Sequence, residues 1–329
     1  MKPDSESNSF WNYHPELPLK TAPYFDQPFN LKRIALYWIK GWRPLGTQFL
    51  FLPLALLIWA FFTPDLTRTQ ALSTDWILEI FFRNLVLIIT VAGGLHLWLH
   101  TFNRQGTEQR YDKQDLGEQH NRFLFNDQLK DNLFWTLCSA VPIWTAWECL
   151  LLWAYANNVA TLITFESNPI WFVVLLLLVP YWALLFFDIQ HRLMHRDFLY
   201  RHVHHWHHKN ATTGPWSGLA MHPIEHLVLM ADTLLYLVVA SHPVHVIYNL
   251  LFHGLGAPTS HTGFERVKIS RKHGVKIGDF YHQIHHRFFD TNYGTLDTPF
   301  DAKYGTFHDG TAKSHKLFVK QRKLRRSSK

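Results

Sequence analysis

Cysteine is nearly absent. The 329 residues contain two, Cys138 and Cys149, both inside one apolar run. On a helix, eleven residues set them roughly 16 Å apart along the axis, beyond the reach of a disulfide, so neither a disulfide scaffold nor a cysteine metal site is available. The H-E-x-x-H arrangement of zinc hydrolases is also missing, and with it the general base those enzymes carry on a helix. The N-terminal MKPDSESNSFWNYHPELP has no apolar h-region, so no cleavable signal peptide is expected. Ionisable side chains are scarce in the long apolar runs, where Glu79, Arg83, His96 and Glu148 are nearly the whole set. A metal carrier would line its path with many more.

What the chain has is long hydrophobic runs and histidine. Mean hydropathy is −0.10, a soluble-looking average of apolar segments and a polar, His-rich remainder. Aromatics reach 16%, with 14 Trp, many near the ends of the apolar runs as in membrane-interface belts. Four segments are long and apolar enough to predict spanning helices: 45–62, which Pro53 would kink, 77–101, 133–156 and 170–187. In the second, Glu79 and Arg83 stand at pairing distance on a helix, and Glu148 in the third is expected to face protein. The apolar stretch from His226 to Phe252 contains Asp232, His242, Pro243 and His245, which favours two helices at the interface over a fifth span.

Lys and Arg alternate between the loops: six before residue 45, Arg68 alone in 63–76, five in 102–132 and none in 157–169. By the positive-inside rule both termini and the His-rich region fall on the cytoplasmic side. The expected architecture is all-α and multi-pass, about four transmembrane helices with a cytoplasmic His-rich helical cap. Its parts are an interfacial arm (1–44), the spans (45–187), a catalytic region (188–308) and a basic tail (309–329). The net charge of +7 and the KQRKLRRSSK tail fit anionic lipid headgroups or a solvated disordered tail. Nucleic-acid binding is not expected, because no recognition fold accompanies the charge.

Four of the 23 histidines precede Phe187 and the other 19 follow it. His191 and His195 (HRLMH) lie one helical turn apart. His204, His207 and His208 (HHWHH) repeat, about 75 residues later, as His282, His285 and His286 (HQIHH). Each H-x-x-H-H copy is expected to offer one helical face. Gathered imidazoliums would repel one another, whereas neutral imidazoles ligate transition metals. Eight are too many for one ion of four or six ligands, so two ions are expected, and zinc, copper, iron and nickel all suit imidazole. Lipid chains offer a Lewis acid no polar group to attack, which favours redox iron handling O2. His202 and His205 point off the shared face, His96 and His100 fit a helix end, and His226, His242, His245, His253, His273, His308 and His315 look ordinary. Asp188, Glu225 and Asn292 are candidate partners for imidazole N–H groups.

The order of these motifs resembles the fatty acid hydroxylase and sterol desaturase superfamily of integral membrane di-iron oxygenases. Its succession of H-x-x-x-H, H-x-x-H-H, H-P-x-E, H-x-G-(Y/F)-E and H-x-x-H-H with N-Y-G is matched by His191 to His195, His204 to His208, His222 to Glu225, His261 to Glu265, and His282 to His286 with Asn292, Tyr293 and Gly294. The match covers about residues 180–306. Some relatives carry another H-x-x-x-H before the last cluster, and here Ala257 stands four residues before His261. The resemblance implies catalytic histidines His191, His195, His204, His207, His208, His282, His285 and His286, with His222 and His261 as further metal ligands. It also implies two irons, O2 as co-substrate, a lipid substrate drawn from the bilayer and hydroxylation or desaturation of a C–H bond. Electrons would come from a separate donor such as cytochrome b5 or a ferredoxin, in a bacterial inner membrane or the endoplasmic reticulum.

Overall fold

A computed structural model describes residues 11–41, 47–117, 119–270 and 273–327. The first ten residues and the start of the first predicted span lie outside that set. Helix α1 is Leu31–Gly41 and α2 is Thr47–Phe62. Three helices are long and apolar enough to cross a membrane: α3 (Thr74–Thr101), α4 (Gln128–Ala156) and α5 (Pro169–Met194). Helix α2, with 16 described residues, is a shorter apolar helix beside these three. These apolar helices make the chain a membrane protein.

Sequence explains where the long helices start. Asn168 caps α5 by accepting from the Trp171 amide at 3.2 Å, with Pro169 in the first turn, where a missing N–H costs nothing. Asp127 caps α4 from the Lys130 amide at 3.0 Å. Inside α4, one π turn at Thr136–Ala140 precedes Pro142, whose ring lacks the donor that a regular ladder would use. At 1.5 Å per residue, about 20 residues cross the hydrocarbon. The 26 residues of α5 thus carry His191 beyond its far edge.

Past α5 the chain stays helical through 197–208 (α6, which includes a π turn at Tyr200–His204), then forms α7 (Pro223–Leu229), α8 (Pro243–Gly254) and α9 (Gly256–Ser260). A two-stranded antiparallel hairpin, β1 (Arg266–Lys268) with β2 (Gly274–Lys276), precedes α10 (Phe280–Phe288), α11 (Phe300–Tyr304) and α12 (Ala312–Ser327). The basic C-terminal segment is thus helical through 327, not disordered.

Helix α8 packs inside the protein. Val244, Ile247, Tyr248, Leu250 and Leu251 are fully buried in a core shared with Phe51, Ile58, Trp144 and Leu151, because its hydrophobic residues cover nearly the whole circumference. Gly218 lets the turn at Pro215–Leu219 press directly on the Ala257 backbone, locking α9 in place. Residues 11–25 return to the cap: Trp11 meets Phe280 edge-on at 5.0 Å, and the Leu19 and Ala22 amides bond the Asp309 and Leu296 carbonyls at 2.9 and 2.7 Å.

The polar residues within the spans pair differently from their sequence spacing. Arg83 ion-pairs with Glu148 on the neighbouring span and donates to Asn84 Oδ1 at 2.9 Å and the Phe62 carbonyl at 3.1 Å. Glu79 instead takes Arg68 at 2.8 Å. The local Glu79–Arg83 pair is replaced because Glu148 is buried, at 1% exposure, and a buried carboxylate gains far more from a cation than an exposed one does.

Candidate metal centre

Four segments deliver nine histidines to one place. The last turns of α5 supply His191 and His195, α6 supplies His204, His207 and His208, and the turn after α9 supplies His261. Helix α10, capped by Asp279 accepting from the His282 amide at 3.2 Å, supplies His282, His285 and His286. The rings fall into two groups, His191, His195, His204, His208 and His285, and His207, His261, His282 and His286, each with its ligand nitrogens within 4.8 Å of one another. The groups adjoin, the His208 and His286 ring centroids being 4.9 Å apart.

Each H-x-x-H-H copy is divided between the groups. On an α-helix residues i and i+4 differ by about 40° while i+3 lies about 60° to the other side. In α6 the outer pair, His204 and His208, enters the five-histidine group and His207 the other. In α10 the outer pair, His282 and His286, enters the four-histidine group and His285 crosses to the five. The single shared face expected of each triplet is corrected accordingly.

Hydrogen bonds fix the tautomers. Carbonyl oxygens only accept, so His191 Nδ1 donates to Tyr293 at 2.5 Å, His285 Nδ1 to Thr291 at 2.6 Å, His286 Nδ1 to Asn210 at 3.0 Å and His261 Nδ1 to Ala257 at 2.8 Å. His204 Nδ1 donates to Glu225 at 2.6 Å. In the neutral form of each of these rings, Nε2 is then the nitrogen with the free lone pair. Yet His191 and His204 Nε2 stand 3.1 Å apart, and His261 and His286 Nε2 stand 3.0 Å apart. Two lone pairs at that distance, buried and with no proton between them, repel. A cation between them reverses the sign. Bonds of about 2.1 Å to imidazole put neighbouring nitrogens about 3.0 Å apart in an octahedral shell and about 3.4 Å apart in a tetrahedral one. The closest nitrogen pairs in both groups stand 3.0 to 3.3 Å apart, so the donors fit a transition metal in each.

Burial keeps these rings neutral. It holds His207, His208, His282, His285 and His286 well below the ordinary imidazole value, with the neighbouring histidines adding to the effect. His261 is pushed down to about 4, again by burial first.

His222 is the expected ligand that the fold leaves out. It is the N-cap of α7, its Nδ1 accepting from the Ile224 amide at 3.2 Å ahead of Pro223, and its ring packs edge-on against Trp206 at 4.5 Å. Its Nδ1 is thus taken by the backbone, and the ring is a member of neither group. Asp188 is likewise not an imidazole partner, because Arg192 takes it at 2.8 Å and ties it to Asp301. Asn292 acts through the backbone. At φ +55°, a conformation asparagine tolerates well, it accepts from the His308 amide at 2.7 Å and shapes the turn whose Thr291 and Tyr293 carbonyls orient His285 and His191. His202 is exposed and bonds the Phe198 carbonyl. His100 donates to the Thr262 carbonyl at 3.0 Å, steadying the turn that carries His261.

A cavity of ≈ 440 Å³ opens onto the imidazoles, lined by His191, His204, His207, His261 and His282 at one part and by Phe51, Ala183, Leu184, Phe187, Met221 and Phe252 elsewhere. Its size is that of a small-molecule pocket.

Residues 172–306 match the fatty acid hydroxylase family model. The His-rich part of the chain, residues 172–306, is similar to the fatty acid hydroxylase and sterol desaturase superfamily. It is 31% identical over 148 residues to the putative Delta(7)-sterol-C5(6)-desaturase 2 of Arabidopsis thaliana, covering 41% of this chain and 50% of the relative. It is 31% identical over 124 residues to sphinganine C4-monooxygenase 1 of the same plant, covering 36% and 47%. A Delta(7)-sterol 5(6)-desaturase of Aspergillus fumigatus is 26% identical over 253 residues, covering 67% and 74%. The chain spans half or less of the length of the first curated relatives it matches. No solved structure matches.

Glu225 of the H-P-x-E motif is the carboxylate that holds a ring, that of His204, while His222 of the same motif is a helix cap. Replacing Glu225 with alanine is expected to weaken iron binding at the five-histidine group by about 10- to 100-fold, measured by chelator competition, while the other group keeps its affinity. A different histidine sets a pH limit. His226, buried between Ser139 and the Leu219 carbonyl, is pushed down to about 4 by burial. Its folded pKa lies below the unfolded value, so its contribution is complete above pH 6.5 and is lost as pH falls toward 4. Thermal unfolding of the metal-free chain is expected to show about 2 kcal/mol lost to this residue at pH 5, and His226→Gln to flatten that slope.

Proposed function

We propose that the chain is a membrane-bound, non-heme di-iron oxygenase that hydroxylates a C–H bond of a lipid. One observation carries this reading: nine imidazoles in two adjacent groups, without a carboxylate or thiolate among them, at the wall of an otherwise largely apolar cavity. Imidazole suits several metals, and iron is the one that joins this donor set to an apolar substrate. Iron held there would supply O2 reduction and hydrogen abstraction from an unactivated C–H bond.

The chain's own residues do the rest. The Thr291, Tyr293, Asn210 and Ala257 carbonyls and Glu225 hold the rings in one tautomer, so the site needs little reorganisation when metal enters. The cavity wall excludes water and holds an acyl or sterol skeleton against the imidazoles. Hydroxylation consumes O2, two electrons and two protons and releases one water, and a separate protein of the cytochrome b5 or ferredoxin type supplies the electrons. The site then lies at the cytoplasmic face of a bacterial inner membrane or of the endoplasmic reticulum.

The sterol desaturases among the relatives favour a second outcome, removal of two hydrogens to give an alkene with two waters released. A zinc hydrolase gains no support from a ligand set lacking a carboxylate general base, nor a metal carrier from histidines that converge instead of lining a path. Lipid extracts from cells with and without the gene, compared by mass spectrometry, test the reading. A species heavier by 16 mass units marks hydroxylation and one lighter by 2 marks desaturation. No change in any lipid, with the chain expressed and iron-loaded, contradicts both.

A further inference from the structure

A second polar cluster reaches the same cavity through one member, His253. Asp232, 1% exposed, accepts at Oδ2 from His253 Nε2 and from Asn249 Nδ2, both at 2.8 Å. No lysine or arginine joins them among the described residues. The Asp232 Oδ1 and Asn249 Oδ1 atoms are buried without a partner. His253 lines the cavity beside Phe252, and its one hydrogen bond among the described residues is the one to Asp232. A tie serving only to join α8 to the preceding turn would need Asn249 alone. The histidine adds a buried polar group, and that costs free energy unless something in the cavity answers it.

We propose that the Asp232–His253 pair is a binding subsite for the hydroxyl group of a lipid, the O–H donating to His253 Nδ1. In the neutral tautomer whose Nε2–H bonds the carboxylate, Nδ1 is an acceptor, and the group it takes there is a donor. An ether, ester or methyl group at that place leaves it unanswered. Since the subsite and the imidazole groups share one cavity, the anchored hydroxyl fixes which carbon of the skeleton lies against the metal centre. This rests on the reading of the cavity as the lipid pocket, and deepens it.

Binding to the full chain in detergent or nanodiscs tests the subsite without turnover. The probes are cholesterol against its methyl ether and hexadecan-1-ol against hexadecyl methyl ether. In at least one pair the alcohol is expected to bind about tenfold more tightly. His253→Phe is expected to abolish that preference, and His253→Gln, whose amide reaches both partners, to retain most of it. Absence of an alcohol preference in both pairs overturns the proposal, as does a preference that survives in His253→Phe. Variants that lower the melting temperature while leaving the alcohol-to-ether ratio unchanged overturn it too, because the pair is then only packing. Iron content measured on the same samples separates this result from the di-iron reading: lost discrimination with iron retained refutes the subsite alone, and discrimination without iron supports the subsite and refutes the metal.

Discussion

Replacing His286 with alanine is expected to leave one iron per chain in place of two and to lower lipid oxidation by more than about 100-fold. Both nitrogens of this ring are committed. Its Nδ1 is held by the Asn210 carbonyl, and its Nε2 lies 3.0 and 3.1 Å from the nitrogens of His261 and His282. Removal leaves three imidazoles for the second ion. Partners one shell further out already cost 10- to 100-fold when lost, so a ligand costs at least that. The five-histidine group draws only His285 from the same helix and keeps its ion. His202→Ala, on an exposed ring bonded only to a carbonyl of its own helix, should change neither quantity. Iron per chain and product per minute check both variants.

The second large effect lies inside the membrane. Arg83→Met is expected to destabilise the fold by about 3 kcal/mol, because it strands Glu148 with no cation beside it. Asn84 Nδ2, at 3.4 Å, is too distant a donor to compensate. Adding Glu148→Leu should recover most of the loss, since two apolar side chains at that contact need no partner. Thermal unfolding in detergent of the wild type, the single variant and the double variant reads the cycle directly. A double variant no more stable than Arg83→Met would show that the pair does not carry the span contact.

The histidine spacing made the members of the centre legible but not their division. Eight of the nine rings stand in three short motifs, and the ninth, His261, followed from H-x-G-F-E. Which ring joins which group depends on how α5, α6 and α10 approach one another, and nothing local encodes that. His222 stands outside both groups, and its place as a cap was legible: His before Pro at a helix start puts proline in the first turn, the same grammar as Asn168–Pro169. Three of the four apolar runs became helices of bilayer length among the described residues, and the fourth, α2, lies near the lower limit. Arg83 found Glu148 instead of Glu79 because burial, invisible along the chain, decides between carboxylates at similar reach. The Asp232–His253 pair escaped notice for the same reason. Twenty-one residues separate its members, and only the packing of α8 makes them neighbours.

The most direct measurement is iron per chain in the purified full-length protein, taken together with X-ray absorption at the iron edge. Two irons per chain, each surrounded by imidazole nitrogen at about 2.1 Å, is the predicted result. A single zinc, or metal content that drifts with the medium while the protein remains folded, would contradict it.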